Sequence, residues 1–115
     1  AMMMLLPHCV RYNLDRGIHA GLYGELLEHL APARAAALGP DASTAERDLA
    51  FCDELFAMNE HCHEQYGVPL KLSELGVAHD QLPAVAKQAR YDGAALYNET
   101  EITLEDALEI LEATY

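Results

Sequence analysis

Tryptophan is absent from these 115 residues and positive charge is scarce, with seven Lys and Arg against nineteen Asp and Glu. The formal charge of −12 would repel phosphate backbones and anionic lipid, which argues against nucleic acid and membrane surfaces as partners. Cysteine is thin as well. Cys9, Cys52 and Cys62 are odd in number, irregular in spacing and form no CxxC pair, so they read as free thiols in a reducing compartment. No apolar run approaches the roughly 18 residues needed to span a bilayer. The opening Ala1-Met2-Met3-Met4-Leu5-Leu6 is too short for a signal core and has no basic segment before it. A cytoplasmic location is expected. Ser and Thr are few and sit where helices are capped, and no GxGxxG or P-loop pattern occurs. No segment alternates with period two for long enough to make a strand.

What is present is helical. Hydrophobic residues make up 51% of the chain, enough for a real core in one domain over residues 1–115. A first helix is expected from Met2 to about Tyr12, with Pro7 limiting the hydrogen bonds of its first turns. From His19 to Leu38 the apolar residues Leu22, Tyr23, Leu26, Leu27, Leu30 and Ala37 fall on one helical face, and Pro32 predicts a break near Leu30. Ser43-Thr44-Ala45-Glu46 is a capping box. The helix behind it carries Leu49, Cys52, Phe56, Asn59, Cys62 or His63, and Tyr66 as its expected inner stripe, and Gly67 with Pro69 ends it. Leu70 to Val77 reads as a short helical turn stopped at Gly76. Asp80 is placed to cap the next helix, with Pro83 in its first turn. Thr103 caps the last, with Leu104, Ala107, Leu108, Leu111 and Tyr115 facing inward. The fold class is therefore all-α, a bundle of about five helices.

Few residues suggest chemistry on their own. His61-Cys62-His63 offers three potential ligands in a row, but helical positions i and i+2 lie about 200° apart, so the two imidazoles cannot close on one ion. Glu60 and His63 have the spacing of a carboxylate-bridged di-iron site, and Glu25 with Glu28 or His29 could add a second helix. Such sites need two Glu-x-x-His motifs, and only one is present. These residues alone describe a helical module and no reaction.

Four colinear segments add more. Leu6-Pro7-His8-Cys9-Val10-Arg11-Tyr12-Asn13 resembles the LPHVxRYN segment of iron-containing (group III) alcohol dehydrogenases. Tyr66-Gly67-Val68-Pro69 followed by Leu72-Ser73-Glu74-Leu75-Gly76-Val77 is similar to the family's GIPxxLxELGV. Leu82-Pro83 with Ala86 and Ala89 matches its DLPxLAxxA, and Asp92, Asn98 and Thr103-Leu104-Glu105-Asp106 follow its closing D…NPR.LTxED pattern. The resemblance covers nearly the whole chain and implies the distal part of the helical domain shared by dehydroquinate synthase-like proteins and iron alcohol dehydrogenases.

It further implies that the complete enzyme binds NAD(P) on an N-terminal α/β domain. A divalent metal, iron or zinc, held by one Asp and three His on the first part of the helical domain would polarise the substrate oxygen. None of those ligands matches a residue of this chain. The last of them belongs to a PHG motif that falls just before Ala1. His8 matches a position that is not a ligand and is read as a packed histidine. No catalytic, cofactor-binding or metal residue is therefore assigned. Two positions are expected on the substrate cleft: Ala94, where some members carry a Cys, and Asn98, whose NPR motif here becomes Asn98-Glu99-Thr100. The expected function is that of a C-terminal domain or fragment, inactive alone. The alternative is a non-catalytic helical module that self-associates through Met2 to Leu6 or complements a separate N-terminal half.

Overall fold

The computed structural model describes residues 2–115, with the side chain of Leu96 also outside the description; the expectations resting on Ala1 therefore lie outside the described residues. Six α-helices are present among them: α1 (Met2–Asp15), α2 (Leu22–Leu30), α3 (Pro32–Ala37), α4 (Thr44–Tyr66), α5 (Leu82–Arg90) and α6 (Leu104–Thr114). Three 3₁₀ turns, Leu72–Leu75, His79–Gln81 and Gly93–Tyr97, link the later ones. The expected break at Pro32 is what raises the number to six, because proline ends α2 and then opens α3. The assembly is a slab of 45 × 35 × 19 Å, about two helices thick.

Two cores share α1. Val10 joins Tyr23, Leu27, Ala50, Phe51, Cys52 and Leu55 in a cluster where α1 and α2 cross α4. Met4 joins Leu72, Leu82, Ala86, Ala107 and Leu111 in a second, where α1 meets α5 and α6.

Pro7 sits inside α1 and the helix runs through it to Asp15, three residues past the expected end. Its missing amide leaves the Met3 carbonyl without the usual partner four residues on. Asn59 of α4 supplies one instead, donating its Nδ2 to that oxygen at 2.7 Å. The helix thus survives its proline because a neighbour replaces the lost donor.

The inner face of α4 keeps Cys52, Phe56, Asn59 and Cys62 of the expected stripe but not its ends. Asp48, Ala50, Phe51, Cys52 and Leu55 are buried, whereas Leu49 and Tyr66 are exposed, the latter at 80%. Both α1 and α2 pack against its N-terminal half, and α1 continues to Asn59, so its inner face is broader than a single stripe at one end and shorter than the helix. Asp48 is the largest surprise. Its Oδ1 accepts from the Gly24 amide and its Oδ2 from the Gly21 amide, both at 2.8 Å. A carboxylate of α4 therefore caps α2, where the free amides and the positive end of the helix dipole favour it. Gly24 permits this approach, since a Cβ there would lie 2.8 Å from Arg47 Cβ.

Termination follows local signals more closely. The Ser43–Glu46 box is formed on both sides, at 3.1 and 2.9 Å. Gly67, at φ 67°, adopts the left-handed conformation that closes α4. Thr103 and Asp106 make a second reciprocal box at α6. Asp80 caps no helix among the described residues: Gln81 instead reaches back to accept from the Ala78 amide at 2.9 Å, and Asp80 lies within that turn. On α6 the expected inner residues hold, with Ala107 and Leu111 buried and Leu104, Leu108 and Tyr115 half-buried.

Candidate functional site

An apolar space with polar residues around it lies between α1 and α6. Leu5, Cys9, Tyr12 and Asn13 form one wall, at the i, i+4, i+7, i+8 spacing of one face of α1. Ala107, Ile110 and Leu111 of α6 form the opposite wall. Ala89, Ala95, Asn98 and Ile102 close it, giving a cavity of about 300 Å³.

Its polar groups are held from several directions. Asn13 donates its Nδ2 to the Tyr23 hydroxyl at 2.8 Å. Burial and the neighbouring Asp106 carboxylate push the Tyr12 phenol up, so it stays protonated. Arg16 lies 3.7 Å over the Tyr12 ring and pairs with Glu109, its Nη2 2.6 Å from Glu109 Oε2, fastening α1 to α6. Thr103's backbone amide and hydroxyl hold the Asp106 carboxyl below its ordinary value. Burial raises the Cys9 thiol, which makes it a neutral apolar wall and a poor nucleophile.

The two expected cleft positions separate here. Asp92 Oδ1 accepts from the Ala94 amide at 2.9 Å and starts the Gly93–Tyr97 turn, with Ala94 exposed and off the cavity wall. Asn98 ends that turn, is exposed, and lines the cavity. The cavity-facing Cys9, Tyr12 and Asn13 were assigned no role from sequence, although their spacing on α1 was readable. Nothing in the sequence says which partner that face meets.

His8 packs edge-on against Phe56, ring centroids 5.0 Å apart, and burial followed by the nearby Arg11 lowers its pKa. His63 is occupied with the C-terminus of α4, its Nδ1 2.8 Å from the Val68 carbonyl, while His61 is exposed. Among the described residues no three of His, Cys, Asp and Glu are grouped so as to hold a metal ion. The donor set therefore does not fit the divalent metal that the sequence resemblance implies, and these residues support no step through one. Among the described residues, too, no helix is long and apolar enough to cross a membrane.

Comparison with known proteins assigns the helices to a lineage. The model of the Fe-containing alcohol dehydrogenase family, C-terminal, matches residues 1–115. The chain belongs to the iron-containing alcohol dehydrogenase family. It is 32% identical over 110 residues to the lactaldehyde reductases of Escherichia coli K12 and Escherichia coli O157:H7, covering 96% of this chain. It spans only 26% of the length of those relatives. No solved structure matches it significantly. The all-helical architecture accords with the family's C-terminal domain.

Proposed function

We propose that this chain is the distal helical part of an NAD(P)- and metal-dependent alcohol dehydrogenase, inactive by itself and completed by a nucleotide- and metal-binding portion. The observation that carries the reading is the family match along residues 1–115, joined to a set of described residues with no three-ligand group. In the complete enzyme hydride would pass between nicotinamide and an alcohol or aldehyde carbon, the metal serving as Lewis acid toward the substrate oxygen. The likeness to lactaldehyde reductase supports a small aldehyde or its alcohol as the substrate class. Ala94 and Asn98 are assigned to the substrate side, and the three free thiols accord with a reducing, cytoplasmic setting.

The test is an assay of the chain with NAD(P), iron or zinc and a panel of small alcohols and aldehydes. No turnover is expected from the chain alone, and turnover is expected once a polypeptide carrying the metal ligands and nucleotide domain is added. Turnover by the chain alone would overturn the reading.

A second reading, self-association, is favoured by one observation. Met2, Met3 and Leu6 are 86%, 48% and 49% exposed on α1, and Leu22, Leu26 and Leu30 form a further exposed row on α2. Light scattering over a concentration series distinguishes the two, because a strict monomer at high concentration removes the self-association reading.

A further inference from the structure

We propose that Met3, Met4 and Cys62 form a binding site for a soft monovalent metal ion, Cu(I) or its analogue Ag(I), between the first turn of α1 and the C-terminal half of α4. The site needs neither nucleotide nor a second polypeptide, so it does not rest on the dehydrogenase reading.

Placement comes first. Two features far apart in the sequence, the run Met2-Met3-Met4 and the run His61-Cys62-His63, meet at one small cavity of about 100 Å³. Met3, Met4 and Cys62 line it, and Val68, Leu70 and Leu75 help to close it. The two helices are pinned together here, because Asn59 donates to the Met3 carbonyl at 2.7 Å. Cys62 stands three residues beyond Asn59 on the same face of α4, which sets their Cβ atoms roughly 5–6 Å apart. Met4 is buried, Cys62 half-buried and Met3 exposed, so the three sulfur-bearing residues run from the core to the rim.

Chemistry selects the ion. Thioether and thiolate sulfurs are soft donors that favour Cu(I), whereas Mg, Ca and Mn take oxygen ligands. No Asp, Glu or His lines the cavity among the described residues, so a hard cation finds no ligand there. Charge points the same way. One thiolate neutralises one monovalent ion, while a divalent ion would keep a net positive charge among apolar side chains. His63 is turned through its Nδ1 to the Val68 carbonyl. The unbranched methionine side chains have the torsional freedom to close on an ion. Binding exchanges the Cys62 S–H bond for a metal–sulfur bond and releases that proton to solvent.

The experiment titrates the reduced, metal-free chain with Cu(I) kept reduced by ascorbate, in competition with a coloured Cu(I) chelator. The expected result is one ion per chain and one proton released, with affinity rising with pH. With carbon-13 on the methionine methyl groups and Ag(I) as the probe, Met3 and Met4 should shift while Met2 and Met58 stay in place. Met3→Leu and Met4→Leu nearly conserve volume and should leave the fold intact. Each is expected to weaken Cu(I) by about tenfold, the scale on which even supporting residues of a metal site act. Cys62→Ser should abolish stoichiometric binding, whereas Met2→Leu and Cys9→Ser should bind as the parent does. Unchanged affinity in the folded Met→Leu variants would mean an isolated thiol and would overturn the proposal. Loss of binding in Cys9→Ser or His61→Gln, one ion shared by two chains, or zinc shifting the same two methyl groups equally well would overturn it too.

Discussion

The two cores that share α1 are held by different means. Where α1 and α2 cross α4, Tyr23 stacks on Phe51 at 5.6 Å, and Asp48, only 3% exposed, satisfies two amides of the α2 N-terminus. Polar groups there are buried and fully engaged. Where α1 meets α5 and α6 the core is aliphatic, its caps lie at the surface, and a cavity remains. Ser73 and His79 fasten that half only from outside, to the Tyr115 carbonyl and to Glu112. A buried polar tie leaves little freedom to repack, whereas surface ties around small side chains leave room for a ligand. The buried tie and the α1–α6 cavity thus lie against different faces of a shared helix.

The largest effect should come from breaking the buried tie. Asp48→Ala strands two amides and is expected to cost about 2–4 kcal/mol, read as a shift in the urea midpoint. Next comes a matched pair. Ala50→Leu overfills the tight half and should cost about 1–3 kcal/mol, while Ala107→Leu, which grows into the cavity, should cost much less or stabilise. Equal penalties for the two would erase the distinction between the halves. Removing the cap of α6 with Thr103→Ala should cost about 1 kcal/mol in thermal melts. Smallest is a pH effect in the α1–α4 region. Because the folded pKa of His8 lies below its ordinary value near 6.5, the unfolded chain takes up that proton first as pH falls. Stability should therefore be whole above about pH 6.5 and decline beneath it, until the pH passes the lowered folded value. In His8→Gln, melts between about pH 7.5 and pH 5 should lose this component of the slope.

What could be read in advance was the local part. Ser43, Gly67, Gly76 and Thr103 act on amides and carbonyls within a few residues, so their spacing alone marks the helix ends. The position of Pro32 predicted the break for the same reason. Long-range pairings were not legible. Asp48 sits in the second turn of its own helix with nothing local to mark it, and its role for α2 depends on partners 24 and 27 residues away. Of the expected α4 stripe Cys52, Phe56, Asn59 and Cys62 do face inward, while Leu49 and Tyr66 do not, because α1 and α2 decide which side is covered. Asp80 lost its expected role because the chain forms a 3₁₀ turn there and Gln81 takes the exposed amide. Of the site, Asn98 lines the cavity and Ala94 does not, a division set by the turn they share.

Arg16 reaches across 93 positions of the chain to Glu109, and Asn59 reaches back 56 to Met3. Helix α1 can be local in its own hydrogen bonds yet has no core until segments far along the chain arrive. Such closures slow the search for the native arrangement, since their entropy is lost before any contact repays it. The α2–α4 pair, whose tie spans fewer residues, is then expected to assemble early and α1 to settle last. In the interval the methionine and leucine side chains of α1 would remain open to other chains, making the folding period the time of greatest aggregation hazard.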